Sequence, residues 1–243
     1  RDLHRLIRRQ RQMCIRDRHY LLSLLFTRFL LYRIHKQCDG KNWRNRVGGL
    51  IMGDKPRVFL LHSEMSPYRL PLFEELAQKV DLEVYFCQAK SKKRLWNASI
   101  EGYSFKSKVL KFINVGPLII NYLLPFELLF RRYQIYIIDD DPRLTFSKLV
   151  VFLIAKMFRR PVIIWSGAVE EGYYNKIEDL INRYLFAPIR HLVYHHADAF
   201  IAYGHKTADF LAKYGVPREK IYIGTQAVPQ VSQIRINKEE LKG

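Results

Sequence analysis

The sequence predicts an α/β protein with a mostly parallel sheet and helices on both of its faces. From Arg57 onwards, short apolar runs alternate with segments of helical period. The run Val58–Leu61 is continuously apolar, as in strands that are covered on both faces. Residues 199–224 form a complete strand–helix–strand pattern, and the chain has no internal repeat. Such alternation is typical of parallel sheets that are connected by helices.

The first predicted unit is a strand at Val58–Leu61, a loop at His62–Pro67 and a helix over 68–79. One apolar stripe of that helix comprises Leu72, Phe73, Leu76 and Val80. A second strand is predicted at Leu82–Phe86, where Val84 and Phe86 alternate with more polar neighbours.

Residues 103–112 alternate aromatic and basic side chains, which predicts an exposed or edge strand. Such a strand could bind nucleic acid through stacking and phosphate contacts. We favour a hairpin with one solvated face instead. The next segment, 118–130, is strongly apolar, and Pro125 is expected to kink or break it.

The second half continues the alternation. Strands are predicted at 134–138 and 161–165, with a buried helix at Leu144–Arg160 between them. A helical pattern over 179–196 is interrupted by Pro188.

The last unit has the clearest boundaries. Ala199–Tyr203 is a short apolar strand, and the following helix buries a face that comprises Thr207, Phe210, Leu211 and Tyr214. Gly215 stands where a helix C-cap belongs, Pro217 follows it, and Ile221–Ile223 resumes the strand pattern.

The basic charge is concentrated ahead of the first strand. Of the formal net charge of +18, residues 1–57 contribute 15 Lys and Arg against 4 Asp and Glu. We therefore treat residues 1–56 as a basic leader. Residues 8–18 resemble translated sequencing-adapter DNA, so we exclude about the first 18 residues from fold reasoning. Residues 19–34 are apolar and aromatic, but Arg28 and Arg33 interrupt them, so no spanning helix is expected.

We expect neither a metal nor a cofactor. Cys14, Cys38 and Cys87 have no metal-binding or disulfide spacing. His191 and His195 lie four residues apart, but Leu192 stands where a zinc protease pattern requires Glu. The run 139–141 contains Asp-x-Asp, a pattern that suits hard cations, yet an N-cap role explains Asp141 before Pro142 without a metal.

Ligands of parallel α/β sheets collect at the carboxyl ends of the strands, so the loops there supply the candidate site residues. Arg69 lies in a first helical turn, where its charge opposes the helix dipole. Two interpretations of Arg69 remain, a ligand contact and a plain surface arginine. Glu170 and Glu171 follow another strand end and are either general bases or solvated carboxylates. His205 and Lys206 begin the last helix, where backbone amides favour phosphate.

Two stretches, 58–77 and 199–229, resemble the amino-terminal domain of family 4 glycosyltransferases of the GT-B fold. The similarity spans about residues 57–229, and the second stretch is the more specific. Two departures stand out: Ser63–Pro67 replaces a glycine-rich loop, and Ser166 stands where some members have a histidine.

The resemblance implies one Rossmann-like half of a two-domain enzyme. Such enzymes transfer a sugar from a nucleotide-sugar donor with retention and usually without metal, and their amino-terminal domain mainly receives the acceptor. We therefore expect a domain over 57–229, the start of a linker over 230–243, and a chain that ends before the donor-binding domain. Alone, this chain is expected to lack transfer activity.

The sequence-based hypothesis is thus the acceptor-binding half of a cytoplasmic glycosyltransferase. Its co-substrate is a nucleotide sugar, and its acceptor is a glycan or lipid-linked glycan at an anionic membrane surface. The expected catalytic residues are Asp139, Glu170 and Glu171; acceptor contacts are Tyr68, Arg69, Ser166 and Gly167; donor contacts are Gly204, His205 and Lys206. The alternative is a non-catalytic basic binding module for nucleic acid or a protein partner, but the charge distribution weighs against nucleic acid.

Overall fold

A computed structural model describes residues 55–89, 102–116, 118–169, 184 and 186–224. Its strands are β1 (Arg57–Glu64), β2 (Asp81–Gln88), β3 (Lys106–Val109), β4 (Ile113–Val115), β5 (Leu118–Ile120), β6 (Ile135–Asp139), β7 (Val162–Ser166), β8 (Ala199–Ala202) and β9 (Ile221–Ile223). Its α-helices are α1 (Leu70–Ala77), α2 (Leu124–Leu129), α3 (Thr145–Met157), α4 (Ala187–His196) and α5 (His205–Lys213). Short 3₁₀ turns span Pro142–Leu144 and Arg218–Lys220.

Seven strands form one parallel sheet in the order β3-β2-β1-β6-β7-β8-β9. Strands β2 and β3 lie on one side of β1, and β6 to β9 follow in order on its other side. This is a doubly wound, Rossmann-like order, and the predicted fold class is confirmed. The reversal of strand order places a topological switch point between β1 and β6, where ligands of such sheets bind.

Successive side chains of a strand point to opposite faces of the sheet. Phe59, Leu61, Tyr136 and Ile138 enter a core with α2, α3, α4 and α5, and we call this side the α3 face. Val58, Leu60, Ile135 and Ile137 enter a second core with α1, and we call this side the α1 face. Both faces of the central strands are therefore buried, as the apolar run at 58–61 predicts.

The last unit matches its prediction closely. Gly215 follows α5 with φ +84°, and its N–H donates to the carbonyl of Ala212 at 3.0 Å. The N–H of Val216 donates to the carbonyl of Leu211 at 3.1 Å, and Val216 is buried. These two bonds form a Schellman motif, which explains the glycine at this position.

Three predictions on the elements were wrong in detail. The exposed or edge strand predicted at 103–112 is confirmed as β3 at the sheet edge, but it pairs parallel to β2, so the hairpin that we favoured there is wrong. Strand β1 continues through Glu64, so His62 is part of the strand and not of a loop. The α3 helix is not buried all round, since Leu153 and Met157 are exposed on its outer side.

Strand β2 confirms the strand predicted at Leu82–Phe86, and it is buried along nearly its whole length, including the charged Glu83. Glu83 accepts hydrogen bonds from Tyr133 at 2.6 Å and from Arg131. Because these partners satisfy the carboxylate, it can lie inside the sheet layer without a large desolvation penalty.

Several predictions lie outside the described residues: residues 1–54 of the leader, the basic loop at 90–94, and the segment after Gly224. Within the ranges that the structure describes, no helix combines the length and apolar composition that crossing a membrane requires.

Candidate functional site

A cavity of about 450 Å³ opens at the carboxyl ends of β1, β6 and β7. It lies at the switch point of the sheet, beside the first turn of α1 and the 3₁₀ turn after β6. Its charged lining residues are Glu64, Asp139, Asp140 and Asp141 on the acidic side and Arg69, Arg143, Lys148 and Arg190 on the basic side. The cavity is therefore rich in charge without a strong excess of either sign.

The strand alternation separates Asp139 from Asp140. Asp139 follows Ile135 and Ile137 on the α1 face, whereas Asp140 follows Tyr136 and Ile138 on the α3 face. These two neighbouring carboxylates therefore lie on opposite faces of the sheet, in different environments.

On the α1 face, Asp139 is 8% exposed, and its Oδ2 accepts a hydrogen bond from the backbone N–H of Ser63 at 3.1 Å. Burial raises the pKa of this carboxyl above its ordinary value, although the Arg69 charge and the Ser63 hydrogen bond oppose the rise. The Nδ1 atom of His62 lies 3.7 Å from the same oxygen. A carboxylate and an imidazole therefore meet at the floor of the cavity.

Arg69 is held above this floor by aromatic side chains. Its guanidinium lies 5.2 Å from the ring centroids of both Trp165 and Tyr203 and 5.9 Å from that of Tyr68, and it donates a hydrogen bond to the Tyr203 hydroxyl. Only 6% of Arg69 is exposed, so the interpretation of this residue as a plain surface arginine is wrong. Burial raises the pKa of Tyr203 to about 12, so its hydroxyl stays protonated at neutral pH.

Gly167 allows Tyr203 to approach. A Cβ at this position would lie 2.4 Å from Cε2 of the Tyr203 ring, much closer than carbon atoms can pack. The glycine is therefore required by the ring that supports Arg69.

On the α3 face, Asp140 is bonded on both oxygens. Oδ1 accepts from Lys148 Nζ at 2.6 Å, and Oδ2 accepts from Ser166 Oγ at 2.7 Å and from the Tyr194 hydroxyl. Burial and the charge of Asp140 raise the pKa of Tyr194 well above its ordinary value. This network joins β6, β7, α3 and α4 beneath the cavity and fixes the strand ends that carry the site.

Asp141 has the predicted N-cap role, since its carboxylate accepts from the backbone N–H of Arg143 at 2.9 Å. It also binds the Arg143 guanidinium, with Nη2 to Oδ2 at 2.6 Å. No group of three potential metal-ligating side chains is found among the described residues. His191 and His195 stack on an exposed part of α4, where their rings are 6.1 Å apart.

The structure brings together four of the residues that the sequence suggested, namely Tyr68, Arg69, Asp139 and Gly167. Ser166 is fully buried and donates its hydroxyl to Asp140, so it supports the cavity from below. The start of α5, with Gly204, His205 and Lys206, is not among the residues that line the cavity. Glu170 and Glu171 lie outside the described residues.

Sequence reasoning missed several residues at the cavity, namely His62, Glu64, Arg143, Lys148, Arg190 and Tyr203. For His62 and Glu64 a signal existed, because both continue the period-two pattern of β1 on the α1 face. Lys148 gave no such signal, since a lysine in a helix is usually exposed.

No protein-family model and no curated protein matches the chain. Among solved structures, HepE from Anabaena in complex with UDP-glucose is similar, with a TM-score of 0.49 and 13% identity over 71% of this chain and 44% of HepE. UDP-N-acetylglucosamine 2-epimerase from Rickettsia bellii has a TM-score of 0.41 and 10% identity over 71% of this chain and 45% of the epimerase. The chain spans less than half the length of these proteins, and the likeness is one of general α/β architecture.

Proposed function

We propose that this chain is the acceptor-binding half of a glycosyltransferase that moves a sugar from a nucleotide-sugar donor to a glycan or lipid-linked acceptor. The observation that carries the proposal is the cavity at the switch point, where a buried arginine, aromatic rings and carboxylates face the same space. Carboxylates accept hydrogen bonds from sugar hydroxyls, and aromatic rings pack against the apolar face of a sugar. The sequence resemblance of residues 58–77 and 199–229 supports the same class of enzyme.

In this proposal Arg69 and Tyr68 hold the acceptor. A guanidinium fixed between aromatic rings loses little freedom when it binds, so it can orient a hydroxyl, carboxylate or phosphate group of the acceptor. Asp139 supplies the negative charge that stabilises proton loss from the attacking hydroxyl. Its raised pKa makes it a stronger base than a solvated aspartate.

The donor contacts remain those that the resemblance implies. Gly204, His205 and Lys206 open the nine-residue helix α5, whose N-terminal amides favour a diphosphate. His205 and Lys206 are exposed at the start of that helix, so a donor held by a second domain could reach them. Glu170 and Glu171 complete the proposed catalytic group.

We further propose contact with an anionic membrane through the exposed apolar residues of the segment that follows β3 in the chain, which we call the apolar patch. Its members come from one stretch of chain and are all exposed: Phe112, Ile113, Val115, Tyr122, Phe126 and Phe130. Phe130 is 87% exposed, and Lys111, Arg131 and Arg132 adjoin the patch in sequence. Exposed aromatic residues with flanking basic residues suit a cytoplasmic lipid surface, where each basic residue contributes about 1 kcal/mol.

Vesicle flotation tests the membrane contact. The 243-residue chain should float with phosphatidylglycerol-containing vesicles and not with pure phosphatidylcholine, and Phe126→Ser with Phe130→Ser should abolish flotation. Ile223→Ser, at the opposite edge of the sheet, is the matched control because Ile223 is also exposed. Equal recovery with both kinds of vesicle would count against the contact.

A glycan array tests the acceptor role. The wild-type chain should bind a defined subset of glycans, and Arg69→Ala should lose that subset because the anchoring cation is gone. Arg218→Ala is the control, since Arg218 lies at the far edge of the sheet and pairs with exposed Asp209 at 2.8 Å. The absence of any bound glycan, together with salt-dependent binding of DNA or RNA, would overturn the proposal in favour of a basic binding module.

A further inference from the structure

The cavity has a second group of aromatic and basic side chains, which the proposed function does not yet use. Arg190 of α4, Phe210 of α5 and Tyr214, the residue directly after α5, all line it. The sequence pattern predicts a buried face for Phe210 and Tyr214, but Tyr214 is 38% exposed. We call Arg190, Phe210 and Tyr214 the α5 cluster. This cluster offers an aromatic ring and a guanidinium to a ligand in the cavity.

The Tyr214 ring is held in place by its neighbours. Phe210 packs against it with 4.6 Å between ring centroids, and Tyr194 packs edge-on at 6.2 Å. The Arg190 guanidinium lies 5.6 Å from the centroid of the same ring. The backbone N–H of Tyr214 donates to the carbonyl of Phe210 at 3.2 Å, so the main chain is fixed as well. Side chains that are held in this way lose little freedom when a ligand binds.

The α5 cluster lies on the opposite face of the sheet from the aromatic side chains that hold Arg69. Trp165 is part of the core on the α1 face, and Tyr203 packs against that core. Phe210 instead packs against the core on the α3 face, which includes Tyr194. Since one cavity is lined by both groups, it passes over the carboxyl ends of the strands from one face to the other. A single sugar ring is comparable in size with one aromatic side chain, so it can pack against one group but not against both.

We propose that the α5 cluster is a second sugar subsite and that the acceptor is a glycan of at least two sugar residues. The inference rests on the proposed acceptor-binding role of this cavity. The reacting sugar lies beside Arg69 and Asp139, and the sugar next to it packs against Tyr214 while its hydroxyl groups accept hydrogen bonds from Arg190. The substrate class is therefore an oligosaccharide, free or lipid-linked, and not a single sugar residue.

The second subsite should strengthen binding measurably. Packing a sugar face against Tyr214 removes apolar area from water, and hydrogen bonds from the charged Arg190 contribute further. Part of this gain is lost because the bond between the two sugars is immobilised. We therefore expect a disaccharide to bind about tenfold more tightly than its single sugar, and affinity measurements resolve such a difference.

Amide chemical shifts of the ¹⁵N-labelled 243-residue chain measure both affinities. The single-sugar probes are methyl glycosides of glucose, mannose and N-acetylglucosamine, and the disaccharide probes are maltose, cellobiose, mannobiose and chitobiose. At least one disaccharide should bind about tenfold more tightly than the matching methyl glycoside and should shift the amide signals of both Tyr68 and Tyr214. The methyl glycoside should shift the signal of Tyr68 alone.

Substitutions in the α5 cluster then test its role. Tyr214→Ser should remove the advantage of the disaccharide because the ring under the second sugar is gone, whereas Tyr214→Phe should keep it. Arg190→Ala should reduce the advantage as well, and it provides the same test if Tyr214→Ser does not fold. Tyr222→Ser is the matched control, since Tyr222 lies in the edge strand β9 and is not among the residues that line the cavity. An advantage that persists in Tyr214→Ser and Arg190→Ala would overturn the inference.

Two further outcomes separate the second subsite from the proposed function. If a methyl glycoside and its disaccharide shift the cavity signals with equal affinity, the second subsite is refuted and the proposed function stands. If no saccharide moves any cavity signal, the proposed function fails, and the second subsite falls with it.

Discussion

Replacing Gly167 with alanine tests whether close packing holds the arginine of the cavity. An ideal Cβ at Gly167 would lie 2.4 Å from Cε2 and 2.6 Å from Cδ2 of Tyr203. Non-bonded carbon atoms pack at about 3.5–4.0 Å, so the ring has to move by about 1 Å. The movement would weaken both the stacking of Tyr203 on Arg69 and the hydrogen bond between them.

Overpacking of this kind costs about 1–3 kcal/mol. For a chain of this size each kcal/mol lowers Tm by about 2–4 °C, which thermal unfolding followed by circular dichroism resolves. Glycan binding should fall together with Tm, because the displaced ring is the support of Arg69.

Gly204→Ala is the matched control. A Cβ at Gly204 meets nothing within 4 Å, and its φ of 179° is extended backbone that alanine adopts freely. Alanine is a poorer helix N-cap than glycine, which destabilises the protein, but it also lowers the entropy of the unfolded chain, which stabilises it. We therefore expect the free energy of unfolding to change by less than about 0.5 kcal/mol. If Gly167→Ala were as stable as the wild type and bound glycans equally well, the packing argument would be refuted.

Three further tests concern the buried carboxylates at the cavity and the end of α5. Lys148→Met leaves the buried Asp140 carboxylate without its cation and should lower the free energy of unfolding, measured in urea, by about 3–5 kcal/mol. Adding Asp140→Leu should restore part of this loss. A loss below about 1 kcal/mol for Lys148→Met would contradict the importance of the buried ion pair. Folding raises the pKa of Asp139, so the charged carboxylate destabilises the native state at neutral pH. Asp139→Asn should therefore be at least as stable as the wild type in urea melts at pH 7, and the difference in free energy of unfolding should shrink as the pH falls through the raised pKa. A large loss of stability at pH 7 would contradict the direction of this pKa shift. Gly215→Ala should cost about 1–2 kcal/mol, because φ of +84° is strained for alanine, and an unchanged Tm would show that the helix end relaxes.

The fold was predictable from the sequence because local patterns determine it. The apolar run at 58–61 requires cover on both faces, and Gly215 at its offset from Leu211 marks a helix end. The order of the strands was less accessible, since the basic and aromatic residues of 103–112 fit a hairpin and a parallel edge strand equally well.

The site was predictable only in part, because its residues come from distant parts of the chain and from both faces of the sheet. Arg69 and Asp139 could be located from the strand ends alone. The distinction between Asp139 and Asp140 needs the alternation of β6, which was visible in the sequence but becomes decisive only once α1 and α3 are known to lie on opposite faces. The contact of Arg69 with Tyr203 joins residues 134 positions apart, and no local pattern encodes it.

Mapping of amide chemical shifts tests the central claim most directly, namely that the cavity between β1 and β6 is the ligand site. The glycan that binds best on the array would be titrated into the ¹⁵N-labelled chain. We expect the largest shifts at Ser63, Tyr68, Asp139 and Gly167, around the carboxyl ends of β1, β6 and β7. Shifts concentrated at the β9 edge, or arising only with DNA and disappearing in salt, would contradict it.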